Sequence, residues 1–292
     1  MALELSVIVP TYNRREPLLA KLHWLEAQTL SPQRFEVVVT VDGSTDGTAQ
    51  ALNQLSLPYR LVVVEQENRG RGAARNAAIG AAQGEFLVFS DDDVLPHERL
   101  LEEHVKAQRH FGGAAVVGLK DVMGTRSHWA AGTRLPWIRF ATGNASAPRA
   151  AVQQVGGFVE WQGYGGEDLE LGYKLWRAGL SIRSWPAAIG YHAPPPPEEW
   201  RAKAYSAGRN AWQLYCHHPH WQVAVWLGVH PLLLWFKGLV LRPSRSAQYS
   251  QRLTVQQNHW WLGWQAQYVW EFEYFQGARS ARLEGATASR KG

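Results

Sequence analysis

Three carboxylates stand in a row at Asp91, Asp92 and Asp93, directly after the apolar run Phe86 to Phe89. Like charges side by side cost free energy unless a cation or several hydrogen-bond donors offset them. Asp91 and Asp93, one residue apart, can share one divalent ion whose other positions go to water and phosphate oxygens. The competing assignment is a solvated acidic turn before Pro96, with Asp92 or Asp93 capping a helix that begins near His97. A second acidic pair, Glu167-Asp168, follows the glycine-rich loop Gly163-Tyr164-Gly165-Gly166 and precedes the helical spacing Leu169, Leu171, Leu175. It falls at a helix N-terminus, where the dipole keeps carboxylates ionised. Spacing alone favours plain N-terminal capping there. His192 ends another apolar run, and Trp161 and Tyr164 flank the acidic pair, either to stack on a flat ligand or simply to pack.

The elements that must hold these groups alternate between strand and helix. Leu5 to Val9 is an apolar run closed by Pro10 and reads as a central strand, followed by the polar loop Thr11-Tyr12-Asn13-Arg14. Leu18, Leu19, Leu22, Leu25 and Leu30 recur at helical spacing. Phe35 to Val41 is a second buried strand, ending in Asp42-Gly43-Ser44-Thr45-Asp46-Gly47-Thr48, where the glycines permit a tight turn and Thr45 or Asp46 can cap a helix from Thr48. A third strand covers Tyr59 to Val64, and a helix covers Arg75 to Ala82. Residues 1–95 thus read as a parallel, doubly wound half. Such sheets bind ligands beyond the carboxyl ends of their strands, which is where the aspartates fall. Gly70-Arg71-Gly72-Ala73-Ala74-Arg75 has part of a dinucleotide fingerprint, but Arg75 replaces the third glycine and the segment follows the third strand, which argues against a Rossmann oxidoreductase. Glycines and arginines at a helix entrance still suit a phosphate, and a solvated basic loop is the alternative.

The chain of 292 residues is long enough for one large domain or a domain with an appendage, and 46% hydrophobic with 19% charged residues is globular composition. One cysteine, Cys216, excludes a disulfide framework and suits a reducing compartment. It and His217, His218 and His220 lack the spacing of a closed zinc site. The N-terminus has no basic stretch before its apolar residues, so a signal peptide is not expected. Charge is unevenly placed: residues 199–292 carry a net +7 and the preceding part −2. More than half of the fifteen tryptophans lie in that basic tail, a combination that favours a membrane surface or an anionic acceptor over nucleic acid.

Taken in order, Ser6-Val7-Ile8-Val9-Pro10-Thr11-Tyr12-Asn13-Arg14, Val41-Asp42-Gly43-Ser44-Thr45-Asp46-Gly47-Thr48, Asn68 to Gly80 and Ser90-Asp91-Asp92-Asp93 resemble the motifs of glycosyltransferase family 2. Val155-Gly156-Gly157-Phe158 and Gly165-Gly166-Glu167-Asp168-Leu169-Glu170-Leu171 resemble its acceptor-side motifs, so the resemblance spans about residues 5–195. It implies an α/β chain of GT-A (nucleotide-diphospho-sugar transferase) fold, with a mainly parallel central sheet and a C-terminal helical extension. It also implies inverting transfer of a sugar from a nucleotide-diphosphate donor, a UDP-sugar by preference, to a hydroxyl on a glycan, lipid or polyprenol acceptor. Carried over position by position, Pro10, Thr11, Asn13, Asp42, Asn68, Arg75, Asp91 and Asp92 belong to the nucleotide and donor side. Asp93 and His192 would hold Mn2+ or Mg2+, Asp168 would be the base, and Trp161, Tyr164 and Glu167 would meet the acceptor. Asp91 and Asp93 are the principal aspartates and Asp92 the lesser one. The chain departs from many relatives in having Val41-Asp42 where two acids are common, and Val159 after Phe158 where an acid is common. A sugar-phosphate nucleotidyltransferase is the rival enzyme, but it gives the Glu167-Asp168 loop no task. A catalytically silent nucleotide-sugar-binding protein is the rival outside enzymes.

The expected organisation is a catalytic domain over residues 1–198, with a nucleotide half (1–95) and an acceptor half (96–198). A tryptophan-rich helical extension (199–275) and a disordered tail (276–292) follow. Trp221 to Leu241 is long enough to span a bilayer, but Gln222, His230, Pro231 and Lys237 weaken that reading. Trp221, Trp226 and Trp235 suit peripheral attachment to a membrane, and packing or a dimer contact is the third option. The composite expectation is a cytoplasmic protein, peripheral on the inner face of a membrane, with no nucleic acid partner and with oligomers allowed.

Overall fold

The computed structural model describes residues 3–122, 129–161, 163–193, 197–255 and 263–288. The chain divides into two compact units, Met1–Gln162 with Glu167–Pro194, and Gly163–Gly166 with Pro195–Gly292.

The first unit is built in alternation: β1 (Leu5–Thr11), α1 (Arg15–Glu26), β2 (Phe35–Asp42), α2 (Thr48–Asn53), β3 (Arg60–Gln66), α3 (Arg71–Ala81) and β4 (Phe86–Ser90). There follow β5 (Val94–Pro96), α4 (Leu100–Phe111), β6 (Ala115–Asp121), β7 (Arg134–Leu135), β8 (Asn144–Pro148), α5 (Arg149–Gln154), α6 (Glu167–Arg177) and β9 (Ile182–His192). The strands form one sheet in the order β3-β2-β1-β4-β8-β6-β9-β5, with β7 paired to β9. Every residue of β1 and β2 is buried, which is why both read as mostly apolar runs, and the buried polar side chains of Ser6 and Glu36 hydrogen-bond to each other. Leu18, Leu22 and Leu25 of α1 join Leu5, Val7, Val9 and Phe35 in the main core cluster.

The expected parallel half is present, since β3, β2, β1 and β4 all run parallel. Beyond β4 the sheet is mixed: β8 is antiparallel to β4 and to β6, while β6 and β9 are parallel. A buried polar network holds this part together. Asn144 on β8 donates to the carbonyls of Leu119 and Ala188 and meets His104 Nε2 at 2.8 Å, and His104 Nδ1 meets Ser146 Oγ at 2.9 Å. Burial pushes the His104 imidazole down to about 4, so it serves as a neutral strut.

α3 begins at Arg71, earlier than the expected Arg75, because Gly70 takes a positive φ of 87° and supplies the N-cap. Arg75 therefore lies inside the helix, on its buried face.

The second unit consists of α7 (Pro197–His217), α8 (Trp221–Trp226), α9 (Pro231–Val240), α10 (Pro243–Val255) and α11 (Trp264–Ala288). The disordered tail expected from residue 276 is corrected here, because α11 continues helical to Ala288 and buries Ala278 and Ala281. The small residues that suggested disorder do the opposite. They let α7 and α11 approach until a Cβ on Gly208 would lie 1.9 Å from the Tyr274 carbonyl oxygen, and one on Gly277 1.9 Å from the Tyr205 oxygen. Residues 289–292 lie outside the described part. Since both obstacles are backbone atoms, Gly208→Ala should cost about 1–3 kcal/mol through overpacking. Gly285→Ala, whose Cβ meets nothing within 4 Å, should be neutral or stabilise by up to about 1 kcal/mol. Thermal melts of the two variants test the crossing. The apolar stretch after Trp221 is not one helix: Gly228 at φ +65° and Pro231 divide it into α8 and α9.

Candidate active site

The aspartates follow β4, beside the carboxyl end of β1, and the sheet determines what each one meets. Thr11, the last residue of β1, donates from Oγ1 to Asp92 Oδ2 at 2.9 Å. Asp92 is 6% exposed, and burial pushes its carboxyl up to about 6, with Arg14 pulling against that shift. It supports the loop more than it faces a ligand. Asp93 immediately precedes β5, and the β5–β9 pairing sets Val94 opposite His192. That register places His192 Nε2 at 3.5 Å from Asp93 Oδ1, with an Arg14 guanidinium nitrogen at 2.9 Å from Oδ2. Burial opposes ionisation of Asp93, but the His192 hydrogen bond and Arg14 outweigh it and hold the carboxyl well below the usual range. His192 Nδ1 is buried without a hydrogen-bond partner. The pair that a divalent cation could share is His192 Nε2 with Asp93 Oδ1, an imidazole nitrogen beside an ionised carboxylate. Among the described residues no cluster of three or more such ligands occurs, so Asp93 and His192 would leave most positions to ligand oxygens and water.

Beneath the triplet lies Lys21, on the same face of α1 as Leu18, Leu22 and Leu25 and 1% exposed. Its Nζ donates to Ser90 Oγ and to the Val94 carbonyl, each at 2.7 Å, bracketing the aspartates on both sides. Burial lowers its ammonium to about 8, while Asp91, Asp92 and Asp93 act to keep it charged. A cation sealed under the loop offsets part of the like-charge repulsion that the triplet carries.

Asp91 takes a different partner. Arg75 reaches from α3 with one guanidinium nitrogen 2.9 Å from Asp91 Oδ1 and the other 2.9 Å from Glu167 Oε1. The guanidinium also lies over the Phe158 ring at 5.3 Å. Asn76, one residue on, receives the Phe158 N–H on Oδ1 and donates to the Phe158 carbonyl. A Cβ on Gly143 would stand 3.1 Å from Asp91 Oδ2, so that wall approaches closely. Burial works against Asp91, but Arg75, then Arg71 and Lys120, keep it below the usual carboxylate range. Asp168 sits in the first turn of α6, beside Glu167. Burial, reinforced by the Glu167 charge, pushes its carboxyl up to about 7 against the pull of Arg75. A carboxylate poised there can take up a proton near neutral pH.

The loops at the ends of β1 and β2 are cross-tied. Asn13, at φ +51°, donates its N–H to Ser44 Oγ and accepts from the Thr45 N–H at 2.7 Å. Asp42 is 4% exposed and takes three hydrogen bonds, from Gln66 Nε2 and the N–H groups of Arg69 and Gly70. It fastens the loop into α3, and exposed Asn68 is part of that loop. Pro10 is buried at the end of β1. Trp161 is half-buried in the first unit. Tyr164 belongs to the second, where its N–H donates to Ser206 Oγ at 2.6 Å and Lys203 lies 5.4 Å over its ring.

The structure thus gathers Thr11, Asp91, Asp92, Asp93, His192, Arg75, Glu167 and Asp168 in one connected region. Lys21, Arg14 and Lys120 belong to it and were not singled out from the sequence. A lysine in the apolar stripe of α1 was the available signal for Lys21, and Arg14 ends the first motif.

A sheet of this order, with acidic strand ends of this kind, is the GT-A fold of glycosyltransferases. A mannosyltransferase from Pyrobaculum calidifontis, solved with GDP-Man and Mn2+, superposes with a TM-score of 0.69 at 20% identity, over 97% of this chain and 88% of that one. Residues 1–349 of Staphylococcus aureus TarS, solved with UDP-GlcNAc, superpose with a TM-score of 0.60 at 17% identity, over 97% and 92%. The chain belongs to glycosyl transferase family 2, whose profile matches residues 6–157; a related profile, glycosyl transferase family group 2, matches residues 87–272. Validoxylamine A glucosyltransferase of Streptomyces hygroscopicus subsp. limoneus is 32% identical in an alignment 238 positions long that covers 65% of this chain and 51% of that protein. The glycosyltransferase YfnE of Bacillus subtilis is 27% identical in an alignment 255 positions long that covers 65% of each chain. The chain thus spans half to two thirds of the length of these curated relatives.

Proposed function

We propose that this protein is an inverting glycosyltransferase that moves a sugar from a nucleotide-diphosphate donor to an acceptor hydroxyl, with Asp168 as the base. The observation that carries the reading is Arg75: one buried guanidinium joins Asp91, at the donor end of β4, to Glu167, next to the residue poised to take a proton. On this reading a single cation ties a donor-side carboxylate, Asp91, to Glu167, the neighbour of the base.

On this reading the donor lies across the ends of β1, β2 and β4. The loops that Asn13 and Asp42 tie together, with Asn68, would receive the base, and Asp91 would face the ribose or sugar. Lys120, exposed and close enough to Asp91 to act on its charge, would attract the diphosphate. Asp93 and His192 would hold Mn2+ or Mg2+, which when bound neutralises charge on the departing diphosphate. Asp168 removes the acceptor hydroxyl proton, that oxygen bonds to the anomeric carbon, and the bond to the diphosphate breaks with its electron pair on the leaving group. Attack opposite the leaving group inverts the carbon. Glu167 and Trp161 would orient the acceptor sugar, which belongs to a glycan or a lipid-linked chain. The one free cysteine, Cys216, fits a reducing compartment and so the cytoplasm.

Relatives solved with UDP-GlcNAc and with GDP-Man make both nucleotides worth testing. A thermal-shift series with UDP and GDP, each with and without Mn2+, should raise the melting temperature most for one nucleotide with the metal. At about a hundredfold excess over Kd the gain corresponds to roughly 2.7 kcal/mol. Asp93→Asn and His192→Ala should each remove the metal-dependent part. No shift with any nucleotide would sink the donor reading. Product analysis separates the rival enzyme: a nucleoside diphosphate supports sugar transfer, and pyrophosphate supports nucleotidyl transfer.

A further inference from the structure

The helix α9 presents its apolar side to solvent. Leu232, Trp235, Phe236, Leu239 and Val240 fall at i, i+3, i+4, i+7 and i+8, the stripe that normally faces a core, and all are exposed. Leu232 is 70%, Trp235 66% and Phe236 58% exposed, whereas Leu234, off the stripe, is buried. On α8, Trp221 at 68% and Trp226 at 54% extend the same character, while Val223 and Ala224 turn inward. At about 200 Å2 per aromatic side chain, the four aromatics alone expose on the order of 500 Å2. That is already the size of the largest apolar patch on a typical monomer, before the aliphatic residues are counted.

The surrounding charge indicates what would cover this face. From Arg201 to Trp270 the sequence contains no aspartate or glutamate and seven cations; Arg201, Lys203, Arg209 and Lys237 are ion-paired with Glu273, Glu199, Glu284 and Glu271, so the rim charge rests on Arg242 and Arg245. Arg242 and Arg245, just past the end of α9, are exposed. By composition the stretch Trp221–Val240 could cross a membrane, but it is folded as helices of 6 and 10 residues around the break at Gly228 and Pro231. Ten helical residues reach about 15 Å, half of the roughly 30 Å hydrocarbon core. Short helices with outward tryptophan, phenylalanine and leucine, two exposed arginines at their end and no acids of their own have the chemistry of elements that lie in the plane of an anionic bilayer surface.

We propose that the outward face of α8 and α9 docks on an anionic membrane surface, with Trp221, Trp226, Trp235 and Phe236 entering the headgroup boundary and Arg242 and Arg245 meeting lipid phosphates. The inference stands apart from the transferase reading, since vesicle binding is measured without turnover and nucleotide binding without vesicles.

The test is co-sedimentation of the full chain with vesicles of phosphatidylcholine containing one third phosphatidylglycerol, and with vesicles of phosphatidylcholine alone. Binding to the anionic vesicles should be strong and should weaken as salt rises. The triple variant Trp235→Ser, Phe236→Ser, Leu239→Ser should bind at least about tenfold more weakly. The double variant Arg242→Gln, Arg245→Gln keeps the apolar face and should lose roughly fivefold per charge on anionic vesicles only. It keeps the proposal testable if the triple variant misfolds. Absence of vesicle binding, or binding that neither variant alters, overturns the proposal. So does a concentration-dependent dimer that the triple variant abolishes while vesicles are ignored, because the face would then belong to a second copy of the chain.

Discussion

Asp168→Asn should reduce sugar transfer by about 10² to 10⁴-fold, the usual worth of a positioned general base. Nucleotide affinity should stay near wild type, because the carboxylates assigned to the donor lie at the ends of β2 and β4. The same residue predicts the pH profile. Burial and the neighbouring Glu167 charge raise the Asp168 carboxyl to about 7, and only its ionised form can accept the acceptor proton. Transfer should therefore increase through about pH 7 and level off above it. Glu167→Gln removes the like charge and leaves Arg75 pulling harder on Asp168, so the midpoint should move to lower pH. Steady-state rates across pH, with nucleotide Kd measured alongside, provide the check. Full activity in Asp168→Asn, or a profile flat through neutrality, would remove Asp168 from the role of base.

Arg75→Met should be the most damaging single change to the fold. It leaves Glu167 facing inward without its cation and takes from Asp91 the charge that most strongly keeps it ionised. Breaking a buried ion pair by removing one partner costs about 3–5 kcal/mol. The Asp91 side chain is 33% exposed, so water recovers part of that loss and the lower end of the range is expected. Urea unfolding should show a lower midpoint with an unchanged slope. Arg75→Lys should recover only part of the loss, since one ammonium cannot reproduce two divergent hydrogen bonds. A variant as stable as wild type would mean that solvent or a shifted side chain compensates both carboxylates, and Arg75 would no longer explain how donor and acceptor sides are held together.

Much of the site was legible because its parts are local. The triple aspartate after an apolar strand, the glycine-rich loop before Glu167-Asp168 and the tied turn at Asp42 each occupy a handful of consecutive residues, and such patterns survive without knowledge of the fold. Two readings failed for the same kind of reason. The tail after Gln276 looked loose because glycine and alanine are shared by linkers and by closely crossing helices, and only the presence of α7 distinguishes them. Arg75 looked like the start of a helix because the glycines before it resembled a loop; the backbone at Gly70 starts the helix earlier and turns the guanidinium inward.

The sequence by itself determined the strands and helices of the nucleotide half, their parallel, doubly wound character and the positions of the acidic groups. Each of these follows from hydrophobic period, turn residues and short spacing. Tertiary structure decided which groups meet. Asp93 and His192 are neighbours only because β5 pairs with the end of β9. Arg75 reaches Glu167 across 92 positions of sequence, and Lys21 lies under the aspartates across about 70. The outward turn of the α9 stripe could not be read either, because a periodic apolar face has the same sequence whether it meets a core or a surface. Periodicity is a property of one element; partnership depends on how the elements are stacked.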